Sequence, residues 1–423
     1  MGVTETEAGR DAREDLGQVL GRGRMRGALA MLGPAFIAAI AYVDPGNFST
    51  NIGAGAEFGY ALVWVVVLAN LMAMPVQFLS AKIGVVTGKT LPEVCRERHS
   101  RPVRWGLWLQ AEIVAMSTDL AEFVGAALGL YLLFGIPMVP AALITAVVAF
   151  ALLGLQARGF RPFERAIAGL LLLIIAGFAY QLLRIGVEPA QAIAGLVPSL
   201  PAGSAYLAVG IVGATVMPHV VYLHSALTSR RVAVSTDDDR RKVLRFERWD
   251  VVIALGLAGL INLSMLVMAA KLFHSSGNTG ISSIEDAHAG LATFAGGTAA
   301  LVFAVALLAS GISSSSVGTF AGQVVMAGFI NFRIPLLLRR LITMTPALVV
   351  IVLGMNPTDV LNFSQVVLSF GIPFALIPLL LVTRDRSVMG DFANPRWLTA
   401  VMTAITTLII GLNAYLLYDQ FLG

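Results

Sequence analysis

The sequence predicts an all-α integral membrane protein with eleven transmembrane helices, ten of them in a 5+5 inverted repeat whose helices 1 and 6 are broken. Three observations carry this expectation. Apolar runs of spanning length follow one another with short gaps, the basic residues collect in alternate gaps, and two runs five apart are interrupted by proline. Composition agrees: 57% of residues are hydrophobic, only 13% are charged, and the mean hydropathy is +0.81. A soluble domain carries about 25% charged residues. The single cysteine, Cys95, excludes an intrachain disulfide and is expected in a short loop.

The runs lie at about 28–56, 60–84, 106–134, 138–157, 164–186, 203–228, 250–273, 299–327, 335–354, 358–382 and 397–418, near the roughly 20 apolar residues that cross a bilayer. Polar residues 1–26 precede the first run, which is too long for a signal-peptide core and is expected to be retained. The segment 1–26 is charged and poor in aromatics, and is expected to be a disordered cytoplasmic tail. Residues 27–186 then form the first repeat, 203–383 the second, and 396–423 the last helix and C-terminus. With the N-terminus placed inside, the inner segments hold 27 of the 29 basic residues, all but Arg184 and Lys271. Such a bias obeys the positive-inside rule, with the N-terminus cytoplasmic and the C-terminus outside. The net charge of +4 is therefore a topology signal and not the footprint of a nucleic-acid partner. The partner expected from this patterning is the lipid bilayer, with no nucleic acid and no obligate protein.

The first run contains Asp44-Pro45-Gly46-Asn47. A carboxylate near the middle of a membrane helix costs at least ~2.5 kcal/mol. Pro45 removes a backbone donor and Gly46 weakens the helix further, so the run is expected to break at its only internal carboxylate. Irregular backbone at membrane depth survives where it lines a cavity, and a carboxylate, an amide and freed carbonyls make an oxygen-rich cation site. The sixth run has a matching break in Gly213-Ala214-Thr215-Val216-Met217-Pro218-His219. Paired interruptions in corresponding spans of two halves point to the binding site of a secondary transporter. Because five is odd, the second half starts from the opposite side of the membrane, so the repeat is inverted.

Asp44 and Asn47 are three positions apart, so one turn brings their side-chain oxygens together, and Met217 is expected to face them across the pseudo-symmetry axis. A carboxylate and an amide suit any divalent cation; a thioether favours the softer transition metals. Met217 is one of 15 methionines, most of which line cores, so its type alone leaves that role open. The breaks are expected to free carbonyls at Ala41 and Ala214.

The sequences DPGN at 44–47 and Met217-Pro218-His219, on spans one and six, strongly resemble the Nramp (natural resistance-associated macrophage protein) family. The resemblance runs from about Leu32 to Tyr418 and includes QAEIVAM at 110–116, TDLAE at 118–122, YLHSAL at 222–227 and SQVVLSFG at 364–371. It implies a LeuT-type fold and a proton-coupled importer of divalent metal, most like the bacterial manganese importers. By that resemblance Asp44, Asn47 and Met217 bind the ion through side chains, Ala41 and Ala214 through carbonyls, and Gln365 joins in some conformations. Metal ions (manganese, iron and similar) and protons are then transported substrates, and no prosthetic group is expected.

Glu112, Asp119 and Glu122 are spaced by seven and three, within one ~80° stripe of a helix. Carboxylates there need partners or a wet path, and Arg231 and Arg340 are the expected partners. An ion-pair ladder that merely holds spans together fits the same spacing. The resemblance favours proton transfer, with Asp119 and Glu122 leading from the metal site toward the cytosol. His219 either relays protons or tunes Asp44, and His224 is expected to gate or to pack. Ser313 to Ser316 with Gly318 and Gly322 form a small-residue face suited to close helix packing.

Three other functions compete. A sodium-coupled amino-acid symporter keeps the fold, but Asp44 would repel the substrate carboxylate. An intramembrane metallohydrolase needs about three ligands, an open water position and a base, and His219 and His224, five apart, do not share a face. A channel differs by lacking slow, saturable transport. No HExxH, P-loop or GxSxG is present, so the chain is not expected to be an enzyme.

Overall fold

The computed structural model describes residues 14–15, 33–156, 160–229, 231–234, 236–277, 281, 283–332 and 334–422. The first span is two half-helices, α1 (Pro34–Ala41) and α2 (Pro45–Phe58). It is followed by α3 (Val63–Thr87), a short α4 (Leu91–Arg98), α5 (Arg101–Phe134), α6 (Met138–Gln156), α7 (Phe160–Ile185) and a single-turn α8 (Pro189–Ala194). The sixth span is again split, into α9 (Ala205–Thr215) and α10 (Pro218–Ser229). Next come α11 (Asp237–Ala269), which runs on through a π turn at Ala270–His274, α12 (Ile284–Phe294), α13 (Gly297–Ile330), α14 (Leu336–Val352), α15 (Pro357–Arg384), α16 (Arg386–Met389) and α17 (Arg396–Phe421).

With α1–α2 and α9–α10 each taken as one span, the eleven expected spans are all present, and both breaks fall at the expected prolines. Eight described stretches are long and apolar enough to cross a membrane on their own. The other three spans are the broken first one, α6 and α14. The only strand pairing among the described residues is a two-residue parallel bridge, Glu14–Asp15 with Val232–Ala233. The expected disordered tail, 1–26, otherwise lies outside the described residues. Cys95 corrects a smaller expectation: it is buried in α4, not placed in a loop, because its thiol behaves as a small apolar group facing the core.

Burial separates the layers. The sixth span is 94% buried, whereas the apolar windows of α7 and α17 are 33% buried and face outward. The broken helices are thus the centre of the molecule, enclosed by α3, α5, α11, α13 and α15. The most extensive of these packings is α13 along α5, and Ser313 to Ser316 of α13 are all buried. A Cβ at Gly311, a residue outside the expected face, would lie 2.8 Å from the Glu122 carbonyl of α5, so this glycine sets the close backbone approach of the two helices.

Helix α1 starts at Gly33, which has no side chain to cap it. The cap comes from another span: Asp250 of α11 accepts from the Ala35 N–H at 2.9 Å and the Gly33 N–H at 3.2 Å. Asp250→Ala is therefore expected to lower stability by about 1 kcal/mol, as loss of a helix cap does, and Asp250→Asn by less. Melting curves in detergent would check the order; equal melting of Asp250→Ala and wild type would remove the cap from the account.

Candidate metal and proton site

The two prolines act on particular carbonyls. In an α-helix the carbonyl of residue i accepts from the N–H of residue i+4. Four residues after Ala41 stands Pro45, and four after Ala214 stands Pro218; neither has an N–H to give. Both half-helices α1 and α9 therefore end in carbonyls that no N–H of the next turn claims, at the centre of the molecule, where their negative ends favour a cation. Neighbouring helices hold the strands of the break in place. Asn262 of α11 donates to the Tyr42 carbonyl at 2.9 Å, and Ser310 of α13 donates to the Val43 carbonyl at 2.6 Å.

Asp44 then caps α2. Its Oδ1 accepts from the backbone N–H of Asn47 at 2.8 Å and from the Asn47 amide at 2.7 Å. The same amide nitrogen donates to the Ala214 carbonyl at 2.8 Å, tying the first break to the second. From α15, Gln365 Nε2 approaches Asp44 Oδ2 at 3.5 Å. Asp44, Asn47, Gln365 and Met217 are each fully buried. The amide oxygens Asn47 Oδ1 and Gln365 Oε1 are buried with no hydrogen-bond partner among the described residues, and buried acceptors without partners call for a ligand or an explanation. Met217 sits in the second break, between α9 and α10.

Glycine makes this convergence possible. A Cβ at Gly46 would lie 1.9 Å from Gln365 Nε2, and one at Gly213 would lie 1.9 Å from the Gln365 carbonyl oxygen. Backbone and side chain of α15 thus reach both breaks because neither glycine carries a side chain.

The acidic stripe runs along α5, as its spacing indicated. Glu112 pairs with Arg339 at 2.6 Å, and Asp119 Oδ1 lies 3.5 Å from Arg340. Arg339 is the partner that the sequence reading missed; the doublet Arg339-Arg340 was the available signal. Both guanidinium side chains are buried in α14. Arg340 is also held by α13, donating to the Ser315 carbonyl at 2.9 Å and to the hydroxyls of Ser315 and Thr319. The other expected partner, Arg231, instead lines a separate cavity of about 160 Å³ with Thr87, Thr228, Val243 and Glu247, none of them on α5. It follows the end of α10, on the α3–α11 side of the bundle. Glu122, fully buried, has no ion pair among the described residues. A Cβ at Gly318 would lie 2.7 Å from Glu122 Oε2 and 3.2 Å from Asp119 Oδ1, so these two carboxyl groups converge on one point of α13.

His219 and His224 part company. His219 is buried, and its Nδ1 lies 3.1 Å from the hydroxyl of Thr118, the α5 residue next to Asp119, while its Nε2 has no partner among the described residues. His224 belongs to a different polar chain. Its Nδ1 lies 3.0 Å from Gln77 Oε1, Gln77 donates to the Tyr42 hydroxyl at 2.7 Å, and His224 Nε2 is 3.8 Å from Glu247. This chain links the end of α1 to α3, α10 and α11. Nothing in the sequence pattern singled out Tyr42, Gln77 or Glu247.

Two discontinuous spans meeting at mid-bundle, with carbonyl ends, a carboxylate and amides directed at one point, define a transporter of the LeuT-type fold built around a cation site. The Nramp family model (natural resistance-associated macrophage protein-like) matches residues 35–419, and the chain belongs to that family. Among curated proteins it is 54% identical over 400 residues to the divalent metal cation transporter MntH of Deinococcus radiodurans, covering 94% of this chain and 92% of that one. It is 52% identical over 398 residues to the protein of the same name from Bacillus subtilis, covering 94% and 93%. Among solved structures it is similar to the Eremococcus coleocola manganese transporter in complex with an aromatic bis-isothiourea substituted compound. That match has a TM-score of 0.83 and 35% identity, over 92% of this chain and 87% of the other. MhsT in complex with L-phenylalanine shares the fold alone, with a TM-score of 0.58 at 15% identity over 92% of this chain and 98% of that one.

Proposed function

We propose that this chain is a proton-coupled secondary-active importer of divalent transition-metal ions, manganese foremost with iron and similar ions, working by alternating access. The observation that carries the reading is the Asn47 amide nitrogen, held at 2.7–2.8 Å between the Asp44 carboxylate and the Ala214 carbonyl. It occupies the middle of an acceptor-rich cluster, the place that a divalent ion takes when the amide turns to present its unpartnered oxygen. Asp44 supplies the charge, Asn47 and Gln365 amide oxygens, Ala41 and Ala214 carbonyls, and Met217 the soft donor. A transporter rather than an enzyme is the reading the relatives support, since the curated proteins it resembles are divalent metal cation transporters. An amino-acid substrate would place its carboxylate against Asp44.

Since these side chains are buried, loading and release require the half-helices to move against the surrounding spans. Asp119 and Glu122, with His219 beside them, are the groups proposed to take and pass the proton; Glu122 is the one without an ion pair to break. Glu112 with Arg339, and Arg340, fix the stripe against α14, and the chain through His224 is proposed to close the inner side. The repeat boundaries 27–186 and 203–383, the cytoplasmic N-terminus and a bacterial plasma-membrane location complete the reading. Their supports are the spacing of the two breaks, the basic residues and the bacterial relatives.

Met217→Ala tests the donor set. It is expected to reduce the preference for manganese over calcium about tenfold, equivalent to ~1.4 kcal/mol, with the protein still folded. Uptake of labelled manganese in competition with calcium gives the ratio; an unchanged ratio refutes the thioether's role.

A further inference from the structure

The transport reading leaves unused a cavity of about 720 Å³ at the end of α15, far from the breaks in sequence and lined by four arginines, Arg98, Arg384, Arg386 and Arg396. The one carboxylate lining it, Asp385, is already engaged: it accepts from the Ser387 N–H at 2.8 Å and pairs with Arg98. Those contacts, Ser387 first and then Arg98, hold its carboxyl below the usual range, so it stays ionised and offsets only one of the four positive charges. Arg384, Arg386 and Arg396 are exposed and have no ion pair among the described residues. Guanidinium groups with free donors bind phosphate oxygens bidentately.

The cavity continues into the membrane. Arg396 and Thr399 also begin an open, shallow face that follows Ala400, Thr403, Ala404 and Leu408 along α17. From Arg396 to Leu408 the helix rises ~18 Å, more than half of a ~30 Å hydrocarbon core. This face of α17 is therefore long enough for one leaflet's acyl chain to lie along it. Trp397, in the first turn of α17, is 66% exposed, as an interfacial anchor at headgroup level would be.

We propose that this cavity and the adjoining face of α17 form a binding site for an anionic phospholipid. Its phosphate sits among Arg384, Arg386 and Arg396, and one acyl chain lies along α17. A basic pocket between transmembrane helices that opens onto lipid recognises charge at one end and hydrocarbon at the other. With the orientation proposed above, the lipid belongs to the cytoplasmic leaflet. The site tethers α15, which carries Gln365, to α17, which Ser369 and Asn413 already join at 2.7 Å.

The test is native mass spectrometry of the detergent-solubilised full chain, titrated with phosphatidylglycerol, phosphatidylcholine and inorganic phosphate. Wild type is expected to bind phosphatidylglycerol at least tenfold more tightly than phosphatidylcholine. The triple variant Arg384→Gln/Arg386→Gln/Arg396→Gln is expected to lose that preference, while Arg240→Gln/Arg241→Gln/Arg245→Gln, with the same charge change on α11, keeps it. Ala404→Trp obstructs that face of α17 without touching the arginines. It is expected to weaken phosphatidylglycerol at least tenfold, and it carries the test if the triple variant does not fold. Equal lipid affinity in wild type, the Arg384/Arg386/Arg396 variant and Ala404→Trp would overturn the site. Displacement of the lipid by an equal concentration of inorganic phosphate would overturn the lipid assignment in favour of a free anion. Binding in micelles is indifferent to orientation and to transport, so failure here would leave the transport reading standing.

Discussion

Asp44→Asn is expected to abolish metal uptake, by at least ~100-fold or ~2.7 kcal/mol, while leaving the protein folded. The substitution separates the two tasks of this side chain. As the cap of α2, Asp44 accepts from the Asn47 N–H, and asparagine caps a helix about as well as aspartate. As a ligand it is the one carboxylate in the cluster of Asn47, Gln365 and the Ala214 carbonyl. Two unit charges 4 Å apart attract by ~4 kcal/mol at an effective dielectric of 20, and a divalent ion at contact distance exceeds that, so 100-fold is a lower bound. Asp44→Ala loses the cap as well and should melt ~1 kcal/mol less stably. Uptake by Asp44→Asn near the wild-type rate would remove the carboxylate from the site.

The second large effect is structural. Arg340→Met is expected to destabilise the protein by about 3–5 kcal/mol, because it leaves the Asp119 carboxylate buried opposite an apolar side chain. The double variant Arg340→Met/Asp119→Leu should recover at least half of that loss, since an apolar pair can replace a buried ion pair at little cost. The hydroxyl of Thr319, left by the guanidinium, has the Ser315 carbonyl at 2.9 Å to return to. The same double variant is expected to transport metal without a response to the proton gradient. Thermal melting of the two single variants and the double measures the coupling; additive losses would show that Arg340 and Asp119 do not depend on each other.

What could be read in the sequence was whatever depends on local chemistry or on period. Pro45 and Pro218 each remove a donor wherever the chain folds, so both breaks were legible. So was the α5 stripe, because a spacing of seven and three fixes angles on a helix whatever surrounds it. The partners across the bundle were less accessible. Arg339 and Arg340 are adjacent, and only the packing of α14 decides which of them meets Glu112 and which meets Asp119. Arg231 has the right charge and the wrong neighbours, since it follows α10 on the side of α3 and α11. Gln77 and Glu247 lie on α3 and α11 and Tyr42 just past the end of α1, and no spacing within any one element announces the chain that they form with His224. The connecting helices α4, α8 and α12, of 8, 6 and 11 residues, are too short to register as spanning runs, so hydropathy passed over them.

Manganese(II) uptake into proteoliposomes, with and without an inwardly directed proton gradient, tests the central claim most directly. Saturable uptake accelerated by the gradient and absent from Asp44→Asn is the predicted result. Uptake by wild type that ignores the gradient, or no uptake by protein shown to be folded, would contradict it.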